Sequence, residues 1–254
     1  MVSDGGELRR RVRSGTPCLG AFCDLGSSVS AEIVGRSGYD FVVVDLEHGY
    51  GGRGDTVSQL QSVTASGSTP LVRVPSARSD AIGWALDMGA AGIVVPRVET
   101  VEEVRAAEAA TRYAARRGAA PSARAASFGQ DAAYRAEADD RRLLAIQIET
   151  AEALEAVDAI AAVEGVDVLF VGPADLGRTL GLTAGPDHPR LLAAAKTIAA
   201  AAKRAGLAAG VYLDDPALIA TYASFGYTMF GSGFESALLA AAAEQRVRAV
   251  REIL

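Results

Sequence analysis

The chain has 254 residues, of which 50% are hydrophobic, and its 25 basic and 31 acidic side chains give a formal net charge of −6. This length and apolar content are sufficient for one large α/β domain. The negative charge argues against binding to nucleic acid or to an anionic membrane surface. The uncharged stretch Pro216–Phe234 contains one proline and three glycines, which favour helix, turn and strand over a membrane span.

The two cysteines, Cys18 and Cys23, lie five residues apart on a predicted strand. Their side chains would point to opposite faces, so we do not expect a disulfide between them. The N-terminal residues through Arg13 are polar and charged, unlike a secretory signal. We therefore expect a reduced, cytoplasmic setting.

Strand-like and helix-like segments alternate along the chain after an amphipathic lead at about Gly6–Arg13. Eight apolar segments have strand length: Cys18–Leu25, Phe41–Glu47, Pro70–Pro75, Gly92–Pro96, Leu143–Thr150, the segment from Val166, Leu207–Leu213 and Tyr227–Ser232. Helical segments separate them: Ser30–Ser37, Asp55–Ala65, one through Met88, one that opens with a capping box at Thr100 and Glu103, one from Ala151, one that ends at Arg204, Pro216–Phe225, and one from Glu235.

The alternation predicts an α/β fold with a parallel sheet. The strands are too apolar to face water, so helices must cover the outer face of the sheet. Eight repeats is the number that closes a (β/α)8 TIM barrel. An open doubly wound sheet is the alternative, but Gly26-Ser-Ser after the first strand lacks the Gly-x-Gly-x-x-Gly pattern of its nucleotide-binding form. We predict one (β/α)8 barrel domain over residues 1–254, with a short N-terminal lead helix.

The segment from Ala114 to Arg142 departs from this alternation, because it is dominated by Ala, Arg, Gly, Pro and Ser. A structureless loop of this length is uncommon in a compact domain. We therefore predict that it is a lid or an arm that contacts a partner.

Polar and charged side chains occur where several predicted strands end. They are Asp45-Leu-Glu47-His48 after the second strand, Arg73 in the third, Gln147-Ile-Glu149 in the fifth, and Gly172-Pro-Ala-Asp175 after the sixth. In a (β/α)8 barrel the C-terminal strand ends form the active-site face. These side chains are therefore expected to converge on one mouth.

Glu149 and Asp175 end successive strands, and Gln147 projects to the same side as Glu149. A buried carboxylate needs a partner, and two carboxylates with water suit Mg²⁺ or Mn²⁺, or Co²⁺. Zinc more often uses His or Cys, and neither lies near Glu149 in the sequence. Such a site leaves positions open for a 2-oxo acid, whose enolate the metal would stabilise.

The remaining strand-end residues suit the same chemistry. His48 titrates near neutrality and is the natural base, and Arg73 is placed to stabilise a developing oxyanion. Backbone N–H groups after Gly172 are expected to hold the substrate carboxylate. At least one of Asp45 and Glu47, which flank His48, is expected to orient a site residue. Lys196 and Lys203 both lie on a predicted helix away from any strand end, which argues against Schiff-base chemistry.

Six motifs, in this order, resemble those of the HpcH/HpaI aldolase family, which are metal-dependent class II pyruvate aldolases. They are Asp45-Leu-Glu-His48, Val72-Arg-Val-Pro75, Leu86-Asp-Met-Gly-Ala90, Pro96-Arg-Val-Glu-Thr100, Gln147-Ile-Glu-Thr150 and Gly172-Pro-Ala-Asp-Leu176. The resemblance implies that Glu149 and Asp175 bind the divalent metal and that His48 is the general base. It also implies that Asp87 raises the basicity of His48.

The same resemblance implies that Arg73 stabilises the transition state, and that Gln147 and the backbone at Ala174 contact the pyruvyl part of the substrate. Family members are commonly hexamers that exchange the last helix, so a homo-oligomer (a hexamer or trimer of dimers) is expected. The chain departs from the family pattern between Arg112 and Gly129, and it has Glu235 where the family usually has Asp.

The function expected from this resemblance is a lyase that reversibly cleaves a 4-hydroxy-2-oxo acid to pyruvate and an aldehyde through a metal-stabilised enolate. The departures after Arg112 keep an alternative open: a CoA-ester lyase of the citrate-lyase-β kind, or a biosynthetic C–C bond former with the same enolate chemistry. A third possibility is a non-catalytic barrel that binds a 2-oxo acid.

Overall fold

The computed structural model describes residues 5–77, 79–113, 116–183 and 185–254. Within these ranges eight parallel strands pair in chain order, and β8 pairs with β1 to close the barrel. The strands are β1 Cys18–Cys23, β2 Phe41–Asp45, β3 Thr69–Arg73, β4 Gly92–Val95, β5 Leu143–Ile148, β6 Val168–Val171, β7 Ala208–Tyr212 and β8 Tyr227–Phe234. The predicted (β/α)8 fold is confirmed.

Helices lie between the strands and on the outside of the barrel. They are α1 Gly5–Arg13, α2 Ser28–Arg36, α3 Arg53–Ser66, α4 Ser79–Asp87, α5 Val101–Thr111, α6 Tyr134–Glu137, α7 Ala151–Glu155, α8 Val157–Ala161, α9 Pro173–Thr179, α10 Pro189–Arg204, α11 Ile219–Ser224 and α12 Glu235–Arg251. Short 3-10 helices cover Arg124–Gly129 and Pro216–Leu218. The predicted capping box is present, because Glu103 donates its N–H to the Thr100 side chain and accepts from the Thr100 N–H.

Strand β2 shows how an almost continuous apolar sequence serves both sides of the barrel wall. Phe41 and Val43 point into the barrel and join the interior cluster. Val42 and Val44 point outward and pack under the surrounding helices. Because successive side chains alternate between faces, each strand must be apolar at every position to be buried on both.

The N-terminal end of the barrel is closed by α1. Its Leu8 and Val12 belong to the cluster that fills the barrel interior. The helix approaches the strand ends closely, since a Cβ on Gly5 would lie 1.7 Å from the carbonyl oxygen of Ala91. The predicted lead helix therefore covers the N-terminal ends of the strands, and the C-terminal ends remain open.

The segment from 116 to 142 is folded. Tyr113 and Tyr134 pack edge to face, with ring centroids 5.5 Å apart, beside a small cluster that includes Ala125, Ala126 and Ala138. Since it joins α5 to β5, it lies at the same end as α1, where the carbonyl oxygen of Arg141 accepts a hydrogen bond from the Gly5 N–H. Within one chain this part of the predicted lid does not cover the mouth. Residues 114 and 115 lie outside the described ranges.

Both cysteines are buried and free. Cys18 contacts the barrel interior and Cys23 the outer layer, which confirms that they face opposite sides of β1. Across the parts of the chain that the structure describes, no helix has both the length and the apolar character of a membrane span.

Candidate active site

A cavity of about 570 Å³ opens at the C-terminal ends of the strands. It brings together residues from Phe22 to Phe234, and the predicted strand-end residues among them run from His48 to Asp175. The predicted site residues that line it are His48, Arg73, Gln147, Glu149, Gly172, Ala174 and Asp175. The sequence therefore predicted Arg73, Glu149 and Asp175, which are half of the acidic and arginine side chains in the lining, together with His48.

Glu149 follows β5 and is only 2% exposed. One carboxylate oxygen accepts the backbone N–H of Arg97 at 2.7 Å, and the other accepts Nε2 of Gln147 at 2.6 Å. Burial raises the pKa of Glu149 to about 7, although the hydrogen bond from the Arg97 N–H acts to lower it. Gly172 makes room for this carboxylate, because a Cβ there would lie 2.4 Å from Glu149 Oε2.

Asp175 lies in the first turn of α9 on the same cavity wall. Its negative charge contributes to the raised pKa values of Glu149 and Glu47, after the larger effect of burial. The carboxylate also pairs with Arg178 one turn along the helix. The described residues contain no group of three or more His, Cys, Asp or Glu arranged around a metal position. Glu149 and Asp175 both line this cavity, and their role as metal ligands stays a prediction.

Gln147 lines the same cavity and carries a buried polar atom without a hydrogen-bond partner among the described residues. The side chain is 3% exposed, and its Oε1 has no hydrogen-bond partner among the described residues. Because Nε2 is held by Glu149, the amide is oriented with its oxygen free. A buried acceptor of this kind costs free energy until it is satisfied, so it is prepared for a ligand that donates a hydrogen bond or carries positive charge.

Arg73 is held rigidly at the base of the cavity. Its Nε and Nη2 donate to the two Asp45 oxygens at 2.9 and 2.5 Å, and Nη1 lies 3.2 Å from Glu47 Oε2. The guanidinium carbon lies 5.1 Å from the ring centroid of Phe22. Although burial opposes its charge, the Asp45 carboxylate keeps the pKa of Arg73 above its usual value. The Arg73 guanidinium therefore stays positively charged and is held in one orientation.

His48 lies in the loop after β2, and its side chain is 63% exposed. Its Nε2 is 3.7 Å from Glu47 Oε1. Asp45 accepts the backbone N–H groups of Glu47 and His48 at 3.0 and 3.4 Å, which shapes this loop. Asp45 thus orients both Arg73 and the His48 loop, and Glu47 contacts the Arg73 guanidinium and the His48 imidazole.

Asp87 requires a correction, because in this chain it lies at the other end of the barrel. It ends α4, and its carboxylate accepts Nε of Arg117 at 2.9 Å. A helix in this fold runs back antiparallel to the strands, so its C-terminal end lies beside the strand starts. The hydrogen bond from Ala91 N–H to the carbonyl oxygen of Pro70 marks that end. Asp87 therefore does not act on the His48 of its own chain.

Three acidic lining residues were not predicted from the sequence: Asp187, Asp214 and Asp215. They lie in connections that follow β6 and β7, and all three are exposed. A search of the strand-to-helix loops, in addition to the strand ends themselves, would have found them.

The comparisons with known proteins agree with this geometry. The sequence model described as HpcH/HpaI aldolase/citrate lyase matches residues 19–242. The chain belongs to this family. The HpcH/HpaI relatives include a hydroxypyruvate/pyruvate aldolase of Paraburkholderia phytofirmans, 36% identical and covering 97% of this chain and 95% of the relative. A 2-keto-3-deoxy-L-rhamnonate aldolase of Klebsiella pneumoniae is 35% identical and covers 94% and 91%.

A solved structure of an HpcH/HpaI aldolase/citrate lyase family protein from Burkholderia cenocepacia superimposes with a TM-score of 0.91. Its sequence is 34% identical, and the match covers 97% of this chain and 99% of that one. The family and the named relatives are aldolases and lyases, so this HpcH/HpaI chain is a carbon–carbon lyase rather than a non-catalytic binding protein.

Proposed function

We propose that the enzyme is a divalent-metal-dependent aldolase that reversibly cleaves a 4-hydroxy-2-oxo acid to pyruvate and an aldehyde. The observation that carries this proposal is the shared cavity of Glu149, Asp175, Gln147 and Arg73, with His48 at its edge. It combines the carboxylates of Glu149 and Asp175, the fixed guanidinium of Arg73 and the imidazole of His48, which supply the anionic, cationic and basic groups that enolate chemistry needs.

The residues present fit a hard divalent cation. Glu149 is buried, and Asp175 and Glu47 add negative charge around it, so a cation there would remove an electrostatic penalty. The oxygen ligands of Glu149 and Asp175, completed by water, suit Mg²⁺ or Mn²⁺, with Co²⁺ a further candidate. A bound divalent ion supplies a Lewis acid for the keto oxygen of a 2-oxo acid.

The chain's own residues would then divide the remaining work. The Arg73 guanidinium faces the negative charge that develops on the keto oxygen, and Asp45 keeps it from turning away. His48 takes the proton of the C4 hydroxyl as the C3–C4 bond breaks. The backbone at Ala174 and the Gln147 amide border the space for the pyruvyl group.

Two histidines make a matched test of this assignment, since the chain contains only His48 and His188. His188 accepts the Arg190 N–H through Nδ1 and caps α10, and Asn preserves such a cap. We expect His48→Asn to slow pyruvate release roughly 10²- to 10⁴-fold and His188→Asn to leave it near wild type. EDTA should abolish turnover and Mn²⁺ should restore it; full turnover in chelator would exclude the metal role.

A second reaction of the same enolate is favoured by the family description, which includes citrate lyase. In it the enzyme would act on an acyl-CoA ester or join a 2-oxo acid to another acceptor. Parallel assays with acyl-CoA esters and with aldehydes separate the two. Turnover confined to the CoA ester would replace the aldolase assignment.

We also propose that the enzyme is a homo-oligomer in a reduced, cytoplasmic setting. Among the described residues of α12, Glu235 is the buried one, whereas Leu238, Leu239, Val247 and Val250 are 43–62% exposed. An apolar helix face of this size suits burial against another copy of the chain. The free thiols of Cys18 and Cys23 suit a reducing compartment.

A further inference from the structure

The outer wall of the cavity carries a set of charges that the proposed aldol chemistry does not use. We infer that Asp187, Asp214 and Asp215, here called the acidic wall, select an uncharged, hydroxylated aldehyde over one that bears a carboxylate. This inference rests on the proposed function, because it concerns the acceptor of the same site. In this inference the acidic wall determines which aldehyde is accepted, whereas Glu149 and Asp175 serve the pyruvyl half of the substrate.

The position of the acidic wall fits the aldehyde half of the substrate. Asp187 lies in the connection between α9 and α10, and Asp214 and Asp215 follow β7. Both connections run over the mouth of the barrel, farther out than Glu149, which follows β5 directly. A substrate whose 2-oxo acid end lies at Glu149 can extend its other end towards these exposed loops, which line the same cavity.

The charge of the wall is not balanced from within the cavity. Among the described lining residues the basic groups are Arg73 and His48. Arg73 is already paired with Asp45 and Glu47. A divalent ion at Glu149 and Asp175 would offset the charge of those two carboxylates, not that of the acidic wall. A second carboxylate on the acceptor would therefore meet three like charges without a counterion.

The same groups are well placed to bind hydroxyl groups. Tyr212 donates its hydroxyl to Asp214 at 2.5 Å, and its ring packs against Phe22 and Phe234 with centroids 5.4 and 4.9 Å apart. Asp215 accepts the backbone N–H of Ala217 at 2.9 Å. These contacts fix the direction of the two carboxylates, and each carboxylate offers further lone pairs. Hydroxyl groups donate to carboxylates, whereas a second carboxylate has no proton to donate.

A matched pair of acceptors measures this selectivity. Glyceraldehyde and tartronate semialdehyde have the same three carbons and the same aldehyde, and differ in a terminal CH₂OH or COO⁻. With pyruvate as donor, we expect wild-type enzyme to show a higher kcat/KM with glyceraldehyde. The substitutions Asp187→Asn, Asp214→Asn and Asp215→Asn keep the shape of each side chain and one acceptor oxygen, and remove the negative charge. Each is expected to lower the preference about two- to threefold, and the three together about tenfold, as for screened charges near a partly exposed site.

A control variant with the same change in net charge carries Asp140→Asn, Asp158→Asn and Glu164→Gln, whose side chains are 70–95% exposed. None of these three lines the cavity within the described chain, so the preference should stay at the wild-type value. Thermal melts of both triple variants check that they fold, and Asp187→Asn alone provides a milder variant.

Exchange of the pyruvate methyl protons with deuterium reports the donor half-reaction separately. Retained exchange together with a reduced glyceraldehyde preference in the acidic-wall variant supports the inference. Retained exchange with an unchanged ratio, or a wild-type enzyme that prefers tartronate semialdehyde, overturns it and leaves the aldolase proposal intact. If the wild-type protein with Mn²⁺ present does not exchange the pyruvate methyl protons with deuterium, the proposed function and this inference are both overturned.

Discussion

Replacement of Glu149 by Gln tests the proposed metal site without requiring the natural substrate. The substitution keeps the shape of the side chain and removes one buried negative charge. Its Oε1 still accepts the Arg97 N–H, but the new amide group faces Nε2 of Gln147 in place of a carboxylate oxygen. The expected result is a protein that folds at least as stably without metal and no longer responds to a divalent cation.

In the absence of metal, the change in the free energy of unfolding follows from the burial of the Glu149 carboxylate. Burial raises the pKa of Glu149 from 4.5 to about 7, so the folded state binds more protons than the unfolded state between these values. The stability of the metal-free wild type therefore falls as pH rises through that window, by about 3 kcal/mol in total. Glu149→Gln removes this penalty at the loss of about 1 kcal/mol for one hydrogen bond, which leaves a gain of about 2 kcal/mol at pH 8.

Added metal is expected to stabilise the wild-type protein more than the Glu149→Gln variant. Mn²⁺ at 100 times its dissociation constant stabilises a folded protein by about 2.7 kcal/mol. For a chain of this size that corresponds to a rise in Tm of roughly 5–10 °C. Without the Glu149 charge the rise should fall below about 2 °C at the same Mn²⁺ concentration. Differential scanning calorimetry at pH 8, with and without Mn²⁺, measures both quantities.

Glu152→Gln is the matched control, since Glu152 is exposed on α7 three residues later. It removes the same charge from a position outside the cavity, and the Mn²⁺ response should remain that of the wild type. A Glu149→Gln protein that keeps the full Mn²⁺ shift would refute the assignment of Glu149 as a metal ligand. A metal-free variant less stable than wild type at pH 8 would refute the argument from burial.

Three further changes test other parts of the structure. Arg73→Lys should lower kcat/KM roughly 10²- to 10³-fold in a pyruvate-release assay, because lysine cannot form the two-pronged contact with Asp45; near-normal activity would contradict the oxyanion role. Thr100→Ala should reduce the free energy of unfolding by about 1 kcal/mol in urea through loss of the α5 cap, whereas Thr100→Ser should not. Leu239→Ser should shift the mass measured by light scattering towards the monomer, and an unchanged mass would show that this face of α12 is not an interface.

How far the sequence determined the site depended on where each residue lies relative to its strand. Glu149 and Asp175 follow neighbouring parallel strands, so the parallel order alone required their side chains to share one face of the barrel. The same holds for Arg73 and for the loop of His48. These placements needed only hydrophobic periodicity and the direction of the strands, which are local properties of the chain.

Other features depended on the path of the chain between strands. Asp87 lies in a motif that resembles the family pattern, yet it ends a helix and so lies at the opposite end of the barrel from His48. The segment from 116 to 142 looked like a lid by composition, but it joins a helix to a strand and therefore packs beside α1. In both cases the direction of the element within the barrel, rather than the residue types, decided which end the side chains occupy.

The sequence by itself determined the number of strands, the barrel that they close, and the polar residues at the strand ends, because burial on two faces leaves a pattern in the local sequence. The tertiary structure alone decided how these residues are held. It left Oε1 of Gln147 buried without a partner among the described residues, fixed Arg73 between Asp45 and Glu47, and placed Asp214 and its neighbours on the outer wall. Such contacts join residues that are distant in the chain, so they exist only once the barrel has closed.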